Sequence, residues 1–155
     1  MYFGIYFLLK NSMEIVQARG FKLNIIELLK SDNLPIDGIN DDLENFLIAI
    51  ENNVVCAAIG MEIYGKYALI RSLVVKNESR NQGLAGRLIL NVEDHAIKHE
   101  VIALFLLTET ASTYFYKKGF NEIARTEVPI EVQQSIEFRY LCPQSAIVMK
   151  KSVVK

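Results

Sequence analysis

The middle of the chain carries apolar runs that are separated only by short polar turns. Residues 46–50, 54–64 and 67–75 are rich in β-branched and aromatic side chains, which favour strands. Asn52-Asn53 and Gly65-Lys66 lie between the runs and are pairs that form tight turns. Because strands joined by such short turns pair antiparallel, the pattern predicts an antiparallel meander.

The apolar pattern changes its period after the meander. Over residues 83–99 an apolar side chain recurs at every fourth position, as on the buried face of a helix: Leu84, Leu88, Val92 and Ala96. Residues 103–107 (ALFLL) form a continuous apolar run, which is typical of a buried strand. Strand, helix and strand in this order predict a parallel crossover.

Smaller elements are predicted on either side of this centre. They are a strand at 14–18, a helix at 21–30, a helix at 112–118 that stops at Gly119, and strands at 120–125 and 146–151. Segment 129–145 has no pattern that decides between a wrap around a substrate site and an interface. The fold class predicted is α/β (α+β), with one mixed, mostly antiparallel sheet in a single domain over residues 1–155.

Composition limits the classes of function. A chain of 155 residues with 51% hydrophobic and 23% charged residues can bury the core of one globular domain. Its net charge of −1 gives no general attraction to nucleic acid or to an anionic membrane. Cys56 and Cys142 form no CxxC pair, which favours a reducing, cytoplasmic setting.

The chain begins with a short apolar run. Residues 1–9 are apolar but too short to span a bilayer, and they lack the features of a signal peptide. Met13 opens the stretch MEIVQARG, which contains the first predicted strand. Residues 1–12 are therefore either an upstream extension or an apolar arm that docks on the domain.

A short loop between the third strand and the long helix is the main candidate for binding chemistry. It consists of Arg80, Asn81, Gln82, Gly83, Leu84, Ala85 and Gly86. Glycines at a helix start let backbone N–H groups approach an anion, and the helix dipole favours a phosphate there. Arg80 and Arg87 add local positive charge. An ordinary strand-to-helix turn is the alternative for the glycines alone, whereas GxxxxGK[ST] and GxGxxG phosphate loops do not fit.

The spacing Arg80-x-x-Gly83-x-Ala85 resembles the Q/R-x-x-G-x-G/A signature of the GNAT superfamily of N-acetyltransferases. The resemblance implies the GNAT fold, with helices on both faces of the sheet and a splayed strand pair at the acetyl-CoA site. It implies that the loop holds the acetyl-CoA pyrophosphate and that the backbone of Leu73, Val74 and Val75 pairs with the pantetheine arm. Acetyl-CoA is then the co-substrate, and no metal is expected.

The resemblance extends to residues 108–120 (TETASTYFYKKGF), which are similar to the family's N-x-x-A-x-x-x-Y-x-x-x-G-F segment. It implies that Thr108 and Phe115 contact the cofactor. Phe115 stands where the family's usual general acid is a tyrosine, and phenylalanine cannot donate a proton. Tyr114 and Tyr116 project about 100° away on a helix, so neither simply replaces it. The thiolate then leaves unassisted, or water protonates it, or the register shifts locally.

A narrower resemblance is to N-acetyltransferases that occur with arsenic-resistance operons. It rests on residues 62–65 (EIYG), 69–75 (LIRSLVV), 106–108 (LLT), 138–139 (FR), 141–143 (LCP) and Met149. Members of this subgroup acetylate the amine of amino-acid-like toxins such as arsinothricin and phosphinothricin. The resemblance implies a small, amino-acid-like amine as the substrate.

Charged residues inside two apolar strands are the candidates for catalysis and substrate binding. Glu62 is the candidate general base, directly or through water; a solvated strand end or a pair with Arg71 is the alternative. Arg71 could bind a substrate carboxylate with its forked donors, or it could extend to solvent. Ser72 is a second candidate for the substrate site, with structural hydrogen bonding as its alternative role. Cys142 is expected to be a structural thiol.

The function expected from these features is direct acetyl transfer from acetyl-CoA to a small amine. The alternative is a catalytically degenerate acyl-CoA-binding or sensor module of the same fold, which the phenylalanine at position 115 keeps open. Acetylation of proteins finds little support in a near-neutral chain without an acidic docking run. The expected partners are a small-molecule amine and, as one option, a second copy in a homodimer, with no nucleic acid and no membrane.

Overall fold

A computed structural model describes residues 12–153 of the chain. Its strands are β1 (Glu14–Gln17), β2 (Phe46–Glu51), β3 (Val54–Tyr64), β4 (Tyr67–Val75), β5 (Ala103–Thr108), β6 (Asn121–Ile123) and β7 (Ile147–Ser152). Its α-helices are α1 (Lys22–Ser31), α2 (Leu84–Lys98), α3 (Ser112–Lys117) and α4 (Ile130–Gln133). Shorter helical turns occur at Asn77–Ser79, Arg125–Glu127 and Glu137–Leu141.

The strands form a seven-stranded sheet in the order β1-β2-β3-β4-β5-β7-β6. β1 pairs antiparallel with β2, and β7 pairs antiparallel with both β5 and β6. β4 and β5 pair parallel, as a helical crossover between them requires. The predicted mixed, mostly antiparallel sheet and its one parallel crossover are confirmed.

The turns of the meander follow from their residues. Asn52 and Asn53, which join β2 to β3, both have positive φ (51° and 63°), as a type I′ hairpin turn requires. Gly65 in the next turn has a φ of 63°. β3 and β4 begin and end where their apolar runs predict, and the two turns fix both ends of β3 and the start of β4.

The region after residue 119 differs from its sequence pattern. The strand predicted over 120–125 is confined to Asn121–Ile123, since a 3₁₀ turn at Arg125–Glu127 follows at once. The Ala124 N–H donates to the Glu127 carboxylate at 3.0 Å and holds that turn. Segment 129–145, which no pattern assigned, forms α4 and the π-helical turn Glu137–Leu141.

β4 runs unbroken through Ser72, although the φ of this residue, 59°, is left-handed. A non-glycine residue in this conformation inside a strand is typical of a β-bulge, which bends the strand and ends regular pairing. β4 pairs with β5 over Tyr67–Leu69 and Ala103–Phe105, whereas β5 continues to Thr108 in its pairing with β7. The β4–β5 pairing over Tyr67–Leu69 therefore lies entirely before Ser72.

The chain divides into two compact units. The first consists of the described part of Met1–Ile59 together with Ser72–Ile89. Its core packs one face of α1 against β2, β3 and the end of β4, with Ile25, Leu29, Ile48, Ala58 and Val74 among its buried residues. The burial of α1 recurs at the helical spacing of Ile25, Leu28 and Leu29, as its sequence predicts.

The second unit consists of Gly60–Arg71 and Leu90–Lys155, of which residues up to 153 are described. Its core holds Leu69, Ala103, Phe105, Val132, Phe138 and Val148. Phe138 and Val132 come from segment 129–145, so this segment contributes to a core. Among residues 12–153, no helix is long and apolar enough to cross a membrane.

Candidate functional site

The loop at residues 80–86 lies in the first unit, between β4 and α2. Asn81 and Gly83 have φ values of 61° and 75°, so the backbone turns through left-handed positions just before the helix. Alternation of this kind is found in the backbone concavities that bind anions. A Cβ added at Gly83 would meet no atom within 4 Å, so the space beside this residue is open. The loop has the backbone form that a phosphate site needs.

The start of α2 presents the remaining donors. The Gly83 carbonyl accepts the Arg87 N–H at 3.1 Å, which opens the helical ladder. The N–H groups of the first turn have no earlier carbonyl to bond, so they point out of the helix end. Leu84 is buried and anchors the helix, whereas Ala85 and Gly86 are half-buried, and Asn81 and Gln82 are exposed. Any contact from Leu84 to a ligand is therefore a backbone contact.

Arg80 already has protein partners. Its Nε donates to the Val75 carbonyl at 3.0 Å and its Nη2 donates to Asp32 Oδ1 at 2.9 Å. Asp32 is the residue that follows α1, so Arg80 ties the loop to the end of β4 and to α1. The pair is exposed, and exposed pairs add little stability. In this structure Arg80 holds the loop in place.

A cavity of about 430 Å³ lies beside this loop, within the first unit. α1 contributes Asn24 and Ser31 to its wall, and the end of β4 with its following turn contributes Lys76 and Asn77. Arg80 also lines the cavity. The wall combines polar and apolar side chains, and it includes the acidic Glu27, Asp32 and Glu78 as well as Lys76 and Arg80.

The strand residues that precede the loop are oriented by the first unit's core. Val74 is buried in that core, and the Val75 carbonyl accepts from Arg80. Leu73 is half-buried. The expected contact of these residues with the pantetheine arm would therefore run through backbone groups, and it stays a prediction.

The second unit holds a cluster of buried charges. The Arg71 side chain is only 1% exposed and lies between two carboxylates. Its Nη1 is 3.6 Å from Glu62 Oε2, and its Nε is 3.6 Å from Glu137 Oε2. Both distances are too long for a direct hydrogen bond, although the charges attract strongly at this burial. We call Glu62, Arg71 and Glu137 the charged cluster.

Glu62 lies near the end of β3 with its side chain 23% exposed. Besides Arg71, it accepts a hydrogen bond from the Tyr64 hydroxyl at 3.3 Å. Burial, followed by the charge of Glu62, raises the pKa of Tyr64 to about 12, so this hydroxyl stays protonated. The pairing with Arg71 that was the alternative for Glu62 is present, and its role as general base stays a prediction.

Glu137 comes from the π-helical turn and was not predicted from the sequence. Burial raises the pKa of Glu137 to about 7; Arg71 lowers it, the charge of Glu62 raises it, and the Cys142 hydrogen bond lowers it. The Cys142 thiol is 3.9 Å from Glu137 Oε1, and burial raises the pKa of that thiol to about 11. Cys142 is therefore a protonated thiol that donates. The signal for Glu137 was an acid flanked by Ile136 and Phe138.

Thr108 and Phe115 lie in the second unit. The Thr108 hydroxyl accepts the Ala111 N–H at 2.9 Å and so stabilises the turn before α3. Phe115 is 8% exposed, with its ring edge-on to Tyr114 at 5.4 Å and to Phe120 at 5.8 Å. Phe115 is thus part of an aromatic cluster, and its contact with the cofactor stays a prediction, as does that of Thr108.

These features match a known family. A profile described as "Acetyltransferase (GNAT) family" matches residues 12–120, which include the loop, β4, β5 and α3. The chain belongs to the GNAT acetyltransferase family. A search of curated proteins gives no significant match.

Many solved structures share this GNAT fold. N-Acetylglutamate synthase from Neisseria gonorrhoeae, complexed with coenzyme A and N-acetyl-glutamate, has a TM-score of 0.80 at 16% identity, over 94% of this chain and 36% of that chain. Rv2747 from Mycobacterium tuberculosis, in complex with CoA, has a TM-score of 0.77 at 18% identity, over 91% and 99%. PaiA N-acetyltransferase from Thermoplasma acidophilum, in complex with coenzyme A, has a TM-score of 0.67 at 16% identity, over 92% and 99%.

At these identities the likeness shows the fold alone. The chain spans about a third of the length of the N-acetylglutamate synthase. The neighbours were nevertheless solved with coenzyme A, so this fold accommodates that cofactor in each of them.

Proposed function

We propose that this GNAT protein is an acetyl-CoA-dependent N-acetyltransferase that acts directly on the amine of a small, amino-acid-like substrate. The observation that carries the proposal is the loop at residues 80–86. Asn81 and Gly83, both with positive φ, lie between the end of β4 and the first residue of α2. Backbone donors and the helix dipole at that point suit the pyrophosphate of coenzyme A.

Different backbone segments would hold the two parts of the cofactor. Backbone N–H groups of residues 81–86 would bind the pyrophosphate, while Leu73, Val74 and Val75 would pair with the pantetheine through their backbone. The N–H near Leu73 would polarise the thioester carbonyl, a role that no side-chain substitution removes. Thr108 and Phe115 would line the cofactor farther along. The coenzyme A bound by the structural neighbours supports this assignment.

The charged cluster supports an amino-acid-like substrate. An amino acid carries both an ammonium and a carboxylate, and the cluster contains both a guanidinium and carboxylates within 3.6 Å. We assign Arg71 and Ser72 to the substrate site, with the Arg71 fork as the partner of a substrate carboxylate. The Neisseria N-acetylglutamate synthase was solved with N-acetyl-glutamate, which is an acetylated amino acid. The resemblance to the arsenic-resistance subgroup points to the same class.

The free thiols of Cys56 and Cys142 fit a reducing compartment, and we place the protein in the cytoplasm on that basis. The rival function is an acyl-CoA-binding module without turnover. The observation that favours it is Phe115, which is buried among aromatic rings and offers no proton to a leaving thiolate.

An assay with a panel of amino acids separates the two functions. The protein is incubated with acetyl-CoA and each amino acid, with release of coenzyme A and the mass of the product as readouts. We expect acetylated product with at least one free amine and none with the same compounds carrying a blocked amine. Tight binding of acetyl-CoA without turnover across the panel would instead establish the binding module.

A further inference from the structure

The charged cluster contains two carboxylates that differ in their surroundings. Glu62 accepts from the Tyr64 hydroxyl and lies beside Arg71. Glu137 has its Oε2 buried without a hydrogen-bond partner among the described residues, at 3.6 Å from Arg71 Nε. A buried carboxylate oxygen that lacks a donor is costly, so such an oxygen points to a ligand or a proton that completes it.

The position of Glu137 fits a proton acceptor. Its side chain is 13% exposed, compared with 23% for Glu62, so it sits in the drier half of the cluster. The Cys142 thiol, a weak donor, is 3.9 Å from its other oxygen. Arg71 lies on β4 two residues after Leu69, the last β4 residue that pairs with β5.

Burial and the groups that face Glu137 together set its pKa close to neutral pH. Burial raises the pKa of Glu137 to about 7, Arg71 on β4 lowers it, and Glu62 on β3 raises it again. Cys142 faces it from the end of its own segment and lowers it through a hydrogen bond. A general base works best when its pKa lies close to the working pH, because it is then both available and strong enough.

We propose that Glu137, in place of the candidate Glu62 indicated by the sequence, is the general base of the acetyl transfer, and that Glu62 holds the substrate ammonium by its charge. This inference rests on the proposed function. The Glu137 carboxylate takes one proton from the ammonium, directly or through one water, and leaves a neutral amine. The nitrogen lone pair then forms the C–N bond to the thioester carbonyl carbon.

The tetrahedral intermediate then collapses to the products. When the tetrahedral intermediate collapses, the C–S bond breaks and its electron pair leaves with the sulfur. The second proton of the nitrogen passes to the thiolate, which gives the acetylated amine and free coenzyme A. The proton on Glu137 returns to solvent. Each turnover thus consumes one ammonium and one thioester and releases one proton.

The first test compares Glu137→Gln with the parent protein on the best amine of the panel. We expect kcat/KM to fall by about 100-fold or more, in line with the loss of a general base. In the parent protein kcat/KM should rise with pH through about 7, the pKa of Glu137, and the variant should lack this rise. Glu137→Asp, which keeps a carboxylate, should recover part of the rate and the pH dependence.

Glu62→Gln is the matched control, since it removes the other carboxylate of the cluster. We expect a higher KM and a pH-dependent rise that persists but moves to lower pH, because the charge of Glu62 raises the pKa of Glu137. If Glu62→Gln abolishes the pH-dependent rise and Glu137→Gln keeps it, Glu62 is the base and the proposal is wrong.

An acceptor whose ammonium is already deprotonated at the assay pH provides a chemical rescue. Such an amine does not need a base, so the difference between the parent protein and Glu137→Gln should shrink strongly for it. An equal loss of rate for both kinds of amine would overturn the proposal and indicate a structural role. Coenzyme A affinity, measured by calorimetry, should stay unchanged and shows that the variant is folded.

A stability measurement tests the protonation of Glu137 without activity. The pKa of Glu137 is raised from 4.5 to about 7, so the folded protein binds this proton more tightly than the unfolded chain. Its contribution to stability is full below pH 4.5 and is lost as the pH rises through about 7. The urea midpoint should fall over this range, and Glu137→Gln should flatten the fall. An unchanged slope would contradict the assignment.

The two proposals fail in different ways. If the parent protein acetylates an amine but Glu137→Gln has the parent rate and pH profile, only the role of Glu137 is wrong. If the parent protein binds acetyl-CoA and acetylates nothing, the proposed function and the role of Glu137 fall together.

Discussion

The loop at residues 80–86 and the charged cluster are built in opposite ways. The loop is one short stretch of chain in the first unit, and its donors are backbone N–H groups at the start of α2. The cluster lies in the second unit and assembles Glu62, Arg71 and Glu137 from β3, β4 and the π-helical turn. The loop therefore depends on local backbone form, whereas the cluster depends on the packing of distant side chains.

This difference predicts which substitutions harm each region. In the loop the backbone N–H groups are the donors, so a larger side chain that blocks them should weaken anion binding more than the loss of a side chain. In the cluster the opposite charges stabilise one another. Removing one side chain therefore leaves a buried charge without its partner, which lowers the stability of the fold.

Gly83→Glu should have the largest effect. It places bulk and negative charge in the open space beside the loop and forces a side chain onto a φ of 75°. We expect coenzyme A binding to be abolished in calorimetry, because the new carboxylate repels the pyrophosphate.

Gly83→Ala and Gly65→Ala are the controls for backbone strain. Both glycines have a positive φ and open space around an added Cβ, so both variants should lose a similar, small amount of stability. Only a change at Gly83 should affect the cofactor. Normal coenzyme A binding by Gly83→Glu would show that the loop has been wrongly assigned.

Arg71→Leu should have the next largest effect, this time on stability. The substitution leaves Glu62 and Glu137 without their cation, and breaking a buried pair in this way costs about 3 kcal/mol. The loss should be smaller at pH 5 than at pH 8, because removing Arg71 raises the pKa of Glu137 and protonation removes a charge.

Urea unfolding at both pH values measures this prediction. Arg139→Leu is a suitable control, because this arginine is exposed on the π-helical turn and stacks on Tyr140. Surface changes of this kind usually alter stability by about 0.5 kcal/mol or less. Equal losses for the two variants would mean that the cluster is not a source of stability.

Arg80→Gln should have the smallest effect. Glutamine preserves the family signature, and the guanidinium that it removes bonds to the Val75 carbonyl and to the exposed Asp32. If backbone groups carry the anion, coenzyme A affinity should fall by less than about tenfold, since an exposed pair contributes at most about 1 kcal/mol. A loss as severe as that of Gly83→Glu would show that the loop binds its anion through this side chain.

The elements that could be predicted from the sequence are those whose neighbours are local. β3, β4 and α2 follow from apolar periodicity, and the turns at Asn52-Asn53 and Gly65 follow from residue type. The left-handed Ser72 within β4 could not be predicted, because serine has no strong preference for that conformation and only the surrounding sheet can impose it.

In the candidate site, too, the residues that depend on distant parts of the chain could not be predicted. The sequence indicated Glu62 and Arg71 because a charge inside an apolar strand is conspicuous. Glu137 lies in a segment without periodicity, and its raised pKa comes from burial that exists only after folding. Its place beside Arg71 required the π-helical turn, which no local pattern announces.

The amino-acid sequence by itself determined the family, the order of the elements and the loop at residues 80–86, because these depend on residues close together in the chain. The tertiary structure alone decided that Arg71 is buried between two carboxylates and that Arg80 is tied to Asp32. The physical reason is range: propensity and helix-end donors act over a few residues, whereas desolvation and charge pairing act between groups that only the fold brings together.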